Sequence, residues 1–406
     1  MGVEITMLRQ TFSSLLVIGM ISIGAGKHVA AAEGTGPRVV GEILPSVLTD
    51  HGQTAQVRAF DIAPDGSAVA VLYASWGSSP HPVGAELWVA VWNISSDKLV
   101  WKHKLGADTT SGAARIHDVK DLIFTADQKY LLALAVKSAW CLDAKNGGTS
   151  VSIAPPADFA GTPIQISAMT GATAAITYSQ DERSSFYTQL IDASSQRKIT
   201  GWTTSAIPQS FSADGKLAVT VVPTDGAVDL QVIDTSSGRT LRTLRVAVNS
   251  GKGHSRESIS AVARFFDDDH VVVAPSHRID HSGKPPAYGL ELIDVSNGQL
   301  VREISPQYFR PTGELVVSSD RNRFAVVSVY ARERDVLVDS PRPKDLRVNL
   351  FVFSKGNSTP ETAIPNVYTG LAGGGGEPLR LSSDGSVLAV SESPSGSIKV
   401  FQISAP

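Results

Sequence analysis

Residues Pro208–Val246 read PQSFSADGKLAVTVVPTDGAVDLQVIDTSSGRTLRTLRV. The stretch divides into four short β-rich segments separated by three turns. At the first turn, Asp214 can bond the backbone ahead of it, and Gly215 tolerates a positive φ. The segment Leu217–Val222 is apolar and nearly unbroken, as expected of a strand covered on both faces. The stretch therefore predicts a four-stranded antiparallel sheet, which cannot bury both faces alone and must stack against copies of itself.

Variants of this unit recur about seven times along the chain, at a loose period of roughly 40–65 residues. The composition agrees with a turn-rich globular protein, since 42% of the residues are hydrophobic, 18% are charged and 35 are glycines. Helical periodicity is nearly absent beyond the N-terminus. We therefore predict an all-β, seven-bladed β-propeller that occupies residues 33–406 as a single domain.

The two ends of the chain predict how the ring closes. The seventh repeat stops after its third strand, Ser397–Ile403, whereas Arg38–Leu44 forms an unpaired strand ahead of the first repeat. Pairing the two removes the exposed sheet edge that an open stack would leave. We expect Val39–Leu44 to complete the last blade as its outer strand.

The first 32 residues resemble an export signal. Phe12–Ile23 is an apolar stretch too short for a membrane span, and Ala30–Ala32 fits a small-residue cleavage site before Glu33. We predict a signal peptide over residues 1–32 and a periplasmic or extracellular mature protein without stable membrane insertion. Retention of the segment as an uncleaved anchor is the open alternative.

Charge and cysteine content limit the classes of function. The formal net charge of −3 gives no overall bias toward nucleic acid, and we expect no nucleic-acid partner. Cys141 is the only cysteine and lies in an apolar segment. It is interpreted as a buried structural thiol and not as a nucleophile.

The turns of the repeats resemble those of a known group of proteins. Asp-Gly turns precede buried strands at Pro64–Gly66, Ala213–Gly215 and Ser383–Gly385, and similar strand endings occur at Ile233–Gly238 and Ile293–Gly298. These features are similar to WD40-like and YVTN-type bacterial propeller repeats, over nearly all of the mature chain. The Trp-Asp pair of true WD40 repeats is missing. The resemblance implies a rigid binding scaffold; it names no partner and no cofactor.

Connection lengths predict which face of the disk binds. Turns between first and second strands, and between third and fourth strands, are nearly all tight. Long connections join second to third strands or one blade to the next, and both classes leave the same face of an up-and-down blade. They are 75–84, 105–119, 248–258, 276–288, 331–346 and 357–377. Long loops on a rigid scaffold commonly carry function. We expect the partner, a protein or peptide, to bind this long-loop face.

Two clusters within these loops are candidate ligand-binding residues. His277, Asp280 and His281 could ligate a metal, with His254 and His270 on the same blade and His81 and His117 on others. The alternative is a set of ordinary exposed loop histidines.

The second cluster is a mixed-charge loop. Arg332, Arg334, Asp335 and Arg342 could clamp a carboxylate or phosphate, because the arginine fork suits both groups. The alternative is a solvated loop whose charges pair among themselves.

Two classes of function follow from these features. The favoured hypothesis is an exported, non-catalytic propeller that acts as a binding scaffold through its long-loop face, without a cofactor. The alternative is a propeller-only enzyme, lactonase-like or lyase-like, with a metal or charged site on that face. The hypotheses differ in whether side chains from several blades converge on the axis, so the arrangement of charge around the axis distinguishes them.

Overall fold

The computed structural model describes residues 37–49, 53–76, 85–107, 121–135, 138–148, 151–157, 159, 161–179, 185–224, 227–247, 260–276, 290–304, 311–330, 347–365, 379–392 and 396–403. These residues belong to one compact unit, Pro37–Pro406. No helix in these ranges is long and apolar enough to cross a membrane. The predicted signal peptide over residues 1–32 lies outside the described residues.

The described strands form seven four-stranded antiparallel sheets arranged as the blades of a propeller. The innermost strands are β2 (Thr54–Ile62), β6 (Asp121–Phe124), β10 (Thr162–Ala168), β14 (Pro208–Phe211), β18 (Ser260–Phe265), β22 (Pro311–Val317) and β26 (Leu379–Leu381). The second strands are β3 (Ala68–Trp76), β7 (Tyr130–Ala135), β11 (Thr173–Ser179), β15 (Leu217–Thr224), β19 (His270–Ser276), β23 (Arg323–Tyr330) and β27 (Val387–Glu392).

The third strands are β4 (Glu86–Asn93), β8 (Ser138–Asp143), β12 (Phe186–Asp192), β16 (Ala227–Asp234), β20 (Leu290–Asp294), β24 (Arg347–Ser354) and β28 (Ser397–Gln402). The outer strands are β5 (Lys98–Ala107), β9 (Val151–Ile153), β13 (Arg197–Thr204), β17 (Thr240–Ala247), β21 (Leu300–Ile304), β25 (Thr362–Ile364) and β1 (Arg38–Ile43). The 3-10 turn Pro45–Val47 follows β1.

The N-terminal strand completes the last blade, as predicted. Strand β1 pairs antiparallel with β28, so that Val39 lies opposite Phe401 and Ile43 lies opposite Ile398. Inner strands β2 and β26 are in contact, which places the seventh blade beside the first. The ring is therefore closed between the two ends of the chain, and the sheet edge of blade seven is covered.

One prediction about blade six was wrong. The connection after β24 was expected to run unstructured through 357–377, but Thr362–Ile364 forms the outer strand β25 and pairs with β24. Its three residues are too few to show the period-2 alternation by which strands are recognised in a sequence. Strand β9 of blade two, Val151–Ile153, is equally short and was not predicted.

In blades two, four, six and seven, the tight turn between the first and second strands is stabilised by a serine or threonine placed two residues before the aspartate. In blade four, Ser212 Oγ donates to Asp214 Oδ1 at 2.8 Å and accepts the Leu217 N–H at 2.9 Å. Asp214 also accepts the Lys216 N–H at 3.0 Å, and Gly215 has a φ of 74°. These bonds satisfy the backbone of the turn and set the direction of each second strand.

The core consists of the packed faces of neighbouring blades. Leu131 and Leu142 of blade two are fully buried in one cluster with Leu72 and Val89 of blade one. Cys141 is buried at 1% exposure in the next cluster along, and burial raises its thiol pKa to about 11. A thiol with this pKa remains protonated at neutral pH, as expected of a buried structural cysteine.

A candidate binding site in the central channel

The residues predicted to bind a ligand from the loops lie outside the described part of the chain. This applies to His277, Asp280, His281, Arg332, Arg334, Asp335 and Arg342, and their roles stay predictions.

His270, which the sequence placed on the same blade as His277, lies at the start of β19. Its Nδ1 lies 2.8 Å from Asp267 Oδ1 in the tight turn. A part for His270 in a metal site stays a prediction.

The inner strands each place one equivalent residue on the axis. In every blade, one N–H bonds back across the first tight turn, as Ala63 does to Ala68 and Ser212 does to Leu217. The residue two positions earlier lines a single central cavity of about 690 Å³. In blade order, these residues are Asp61, Ile123, Ser167, Ser210, Arg264, Val316 and Arg380.

The cavity lies toward the face that carries the tight turns. Its lining includes Pro64, Ala126, Ala213 and Ser319, which belong to the turns between first and second strands. This is the end of the disk opposite the long-loop face. The described residues therefore build a cavity away from the surface that the sequence favours for binding.

Blades seven, one and two meet in a buried ionic cluster. Arg380 Nε lies 3.2 Å from Asp61 Oδ1, and its Nη2 donates to Asp121 Oδ1 at 3.0 Å. Asp61 Oδ2 accepts the Phe124 N–H at 2.7 Å, and Asp121 Oδ2 accepts the Ile166 N–H at 3.4 Å. One guanidinium thus joins two carboxylates, each of which bonds the backbone of the next blade.

Burial changes the protonation of this cluster. Removal from water raises the pKa of Asp61 to about 7, although Arg380 and the N–H groups of Phe124 and Ile62 oppose the shift. Desolvation dominates because a carboxylate deep in the channel loses its hydration and shares its one counterion with Asp121. Asp61 is therefore partly protonated at neutral pH.

Blades three and four join their neighbours through amide and hydroxyl side chains. Gln165 Nε2 donates to the Pro208 carbonyl at 3.1 Å. Gln209 pairs with the next blade at both ends of its amide, accepting the Ala263 N–H at 2.8 Å and donating to the Ala261 carbonyl at 3.3 Å. Ser210 Oγ accepts the Phe265 N–H at 3.1 Å. These side chains replace the ladder bonds that splayed inner strands cannot make to each other.

Blades five and six contribute two more arginines to the cavity. Arg264 Nη1 donates to the Gln209 carbonyl at 2.6 Å. Arg321 lies in the tight turn of blade six and donates to the carbonyls of Phe265 and, at 3.3 Å, Phe211. The charged lining is therefore Asp61, Asp121, Arg264, Arg321 and Arg380, which favours an anionic or polar ligand over a cation.

Among the residues that the structure describes, no group of three His, Cys, Asp or Glu side chains could hold a metal ion. The carboxylates of the channel are both engaged with Arg380.

Sequence reasoning missed all five charged channel residues. A signal was present, because aligning the repeats on their tight turns brings Asp61, Arg264 and Arg380 to one position.

Solved structures of low sequence identity share the fold. Hydrazine synthase of Kuenenia stuttgartiensis is 13% identical, with a TM-score of 0.53, over 92% of this chain and 99% of that chain. The β-propeller domain of Myceliophteria thermophila Cps50 (Swd1) is 10% identical, with a TM-score of 0.51, over 91% of this chain and 100% of that chain. Raptor of Chaetomium thermophilum is 13% identical, with a TM-score of 0.53, over 92% of this chain but 29% of its own.

No family model matches the chain, and no curated protein matches its sequence. At identities of 10–13%, the likeness concerns architecture alone. The chain shares its overall fold with these proteins and is itself a seven-bladed β-propeller with four-stranded blades.

Proposed function

We propose that this protein is an exported, non-catalytic β-propeller that binds a protein or peptide partner through its long-loop face. The observation that carries the proposal is the uneven distribution of connection lengths around a closed ring. The tight turns are built from residues that bond one another, and the long connections leave the opposite ends of the strands.

The strand bounds support this distribution. In blade five, β18 and β19 are separated by four residues, Phe266–Asp269, whereas β19 and β20 are separated by residues 277–289. In blade six, β22 and β23 are separated by five residues, Ser318–Asn322, whereas β23 and β24 are separated by residues 331–346. These long connections lie on one side of the ring, and binding residues commonly occupy such positions on a rigid base.

The base on which these connections stand is rigid for a physical reason. In blades two, four and five, the turn between the third and fourth strands packs on the preceding blade, because its glycine lies against Trp101, Trp202 or Leu244 respectively. A Cβ on Gly238 would lie 2.1 Å from Trp202 Cβ, and one on Gly298 would lie 3.1 Å from Leu244 Cδ2. Fixed blades hold the attachment points of the long connections at fixed distances, which lowers the entropic cost of binding a partner.

Site-specific photo-crosslinking in the exporting host tests this proposal. A photoreactive amino acid would replace His281 or Arg342 on the long connections, and Lys216 in a tight turn of the opposite face would serve as the control position. We expect a discrete crosslinked protein at His281 and Arg342 and none at Lys216. Charge reversal at Arg332 and Arg334 should weaken the crosslink at Arg342 if the mixed-charge loop contacts the partner.

Two outcomes would contradict the proposal. A crosslink at Lys216 without one at the long connections would move the binding surface to the tight-turn face. Recovery of the protein from the cytoplasm with its first residues intact, instead of from the cell envelope with Glu33 at its N-terminus, would reject the export.

A further inference from the structure

Arg321 occupies a position in its turn that glycine holds in three other blades. The tight turns of blades one, four and seven end in Asp-Gly, with Gly66, Gly215 and Gly385 at φ of 72°, 74° and 68°. Blade six reads Ser318-Ser-Asp-Arg321 at the same place, and Arg321 has a φ of 61°. An arginine in the left-handed region costs about 1–2 kcal/mol relative to glycine.

Backbone strain of this kind is typical of functional positions. The contacts of the Arg321 side chain indicate why an arginine is kept in this strained conformation. Arg321 reaches over the channel and donates to the carbonyls of Phe265 in blade five and Phe211 in blade four. A guanidinium has five N–H donors, so these two bonds leave Arg321 with donor capacity. No acceptor for its Nε lies among the described residues.

The charge on Arg321 is costly where it stands. Burial lowers its pKa, and the carboxylates of Asp268 and Asp267 only partly offset the effect. Asp268 accepts the Asp214 N–H at 3.0 Å and Asp267 lies 2.8 Å from His270, so both are engaged elsewhere. Among the described residues no carboxylate forms an ion pair with this half-buried guanidinium, which makes it a favourable place for an anion to bind.

The cavity beside Arg321 is positively biased. Three arginines and two aspartates line it, and both aspartates contact Arg380 on the far side. Arg264 therefore lies with Arg321 in the arc of blades five and six, where the lining contains no carboxylate. The hydroxyls of Ser319 in blade six and of Ser210 in the adjoining blade four also line the cavity and can donate hydrogen bonds.

We propose that the central channel binds a small molecule with an oxyanion group, a carboxylate or a phosphate, held by Arg321 and Arg264 at the tight-turn face. The cavity of about 690 Å³ lies within the range of small-molecule sites. Planar guanidiniums match the geometry of both kinds of oxyanion. The site lies at the opposite end of the disk from the long-loop face and does not depend on a partner binding there.

A purely structural role is the competing explanation, in which Arg321 only braces blades four and five. The chain offers a matched control for it. Gln128 in blade two stands at the same position of its turn, with a φ of 62°. Changing either residue to glycine restores the common residue of the turn and relieves the same backbone strain, but only Arg321→Gly removes an arginine from the cavity.

The test is isothermal titration calorimetry on the full mature chain with inorganic phosphate and, separately, succinate, at neutral pH and constant ionic strength in chloride. We expect saturable binding of at least one probe. Arg321→Gly and Arg264→Gln should each weaken it by about tenfold or more, the usual effect of removing a charge-assisted hydrogen bond. Gln128→Gly should bind as the wild type does. Phosphate and succinate distinguish which oxyanion the site prefers.

The opposite results would overturn the proposal. Absence of saturable binding of both probes would reject the site, and wild-type affinity in Arg321→Gly would reduce Arg321 to a brace. Circular dichroism and urea unfolding would verify the fold of each variant. Arg321→Asn, which tolerates the left-handed conformation, would replace Arg321→Gly if the glycine variant is not folded.

Discussion

The two arcs of the central channel join neighbouring blades in opposite ways. In blades one, two and four, side-chain oxygens of Asp61, Asp121 and Ser210 accept an N–H from the inner strand of the next blade. In blades five and six, Arg264 and Arg321 donate to carbonyls of preceding blades. In the first arc (blades one, two and four), side-chain acceptors bind backbone N–H groups; we call it the acceptor arc. In the second arc (blades five and six), side-chain donors bind backbone carbonyls; we call it the donor arc.

This difference explains the polarity of the channel. Adjacent inner strands are splayed and leave N–H and C=O groups without ladder partners, and such buried groups must be satisfied. Carboxylates suit the first kind of group and guanidiniums the second, so the two arcs acquire opposite charge. Arg380 stands between them and pairs with both aspartates. A channel can thus become charged for structural reasons and still provide an anion site where the arginines exceed the local carboxylates.

The largest effect on stability is expected at Arg380, which stands between the two arcs and binds both aspartates. Arg380→Met leaves Asp61 and Asp121 buried without their shared cation, which should lower the free energy of unfolding by about 3–5 kcal/mol. Urea unfolding at pH 8 and pH 5 measures it. The loss should be smaller at pH 5, where protonation relieves the carboxylates.

Arg245→Met is the matched control, because Arg245 pairs with Asp229 at 3.0 Å on the exposed outer strand of blade four. Such exposed surface pairs contribute far less to stability than buried ones, because water and salt screen them. Equal losses of unfolding free energy in Arg380→Met and Arg245→Met would show that the buried cluster around Arg380 stabilises the fold no more than a surface pair does.

The second effect concerns pH. The pKa of Asp61 is raised from 3.8 to about 7 in the folded protein, so the folded state binds this proton more tightly than the unfolded state. This contribution to stability is complete below pH 4 and is lost as the pH rises toward 7. Asp61→Asn keeps an oxygen for the Phe124 N–H, removes the titration and should gain stability relative to the wild type above pH 7, by about 1–3 kcal/mol.

The measurement is the difference between the unfolding free energies of Asp61→Asn and the wild type from pH 4 to pH 8. Carboxylates with lowered pKa, such as Asp214, contribute equally to both proteins and cancel. A difference that is constant over this range would contradict the raised pKa of Asp61.

A third comparison lies within the acceptor arc. Ser210→Ala removes the acceptor of the buried Phe265 N–H and should cost about 1–3 kcal/mol. Ser167→Ala is the control at the equivalent position of blade three. Ser167 accepts from Gln165 Nε2 at 3.3 Å, and this amide also donates to Pro208. Ser167→Ala should therefore lower the free energy of unfolding by no more than about 0.5 kcal/mol. Chemical unfolding decides whether hydroxyls in this arc join blades or only fill the channel.

The smallest effect compares one turn position in the two arcs. Gln128→Gly relieves a left-handed backbone but loses the two hydrogen bonds that the Gln128 amide makes to Asp65 of blade one, so its net effect on stability should stay within about 0.5 kcal/mol of zero. Arg321→Gly gains the same relief but loses two charge-assisted bonds to carbonyls, so it should destabilise the protein more than Gln128→Gly does. Differential scanning calorimetry of both variants measures the difference in stability. Equal effects of the two substitutions would mean that the charge of Arg321 adds nothing to the donor arc.

The sequence alone determined the architecture because each repeat contains the turn residues and the strand-forming segments of one blade. Asp-Gly turns and β-branched runs define the strands of a unit such as Leu217–Val246, and one spare strand at Arg38–Ile43 matches one missing strand after Ser397–Gln402. The turns and strand-forming runs can be recognised within a few residues, and the spare and missing strands can be recognised by counting strands along the chain. The short strands Thr362–Ile364 and Val151–Ile153 contain too few residues for such a signal and were missed.

Only the tertiary structure decided the central site. Arg380 meets Asp121 across 259 positions of sequence, and the pairing depends on ring closure by β1 and β28. Inner strands are short and contain register shifts, as between Val57 and Ala59, so alternation does not reveal which residue faces the axis. The protonation of Asp61 and the cost of burying Arg321 arise from desolvation, and desolvation exists only once seven blades have enclosed the channel.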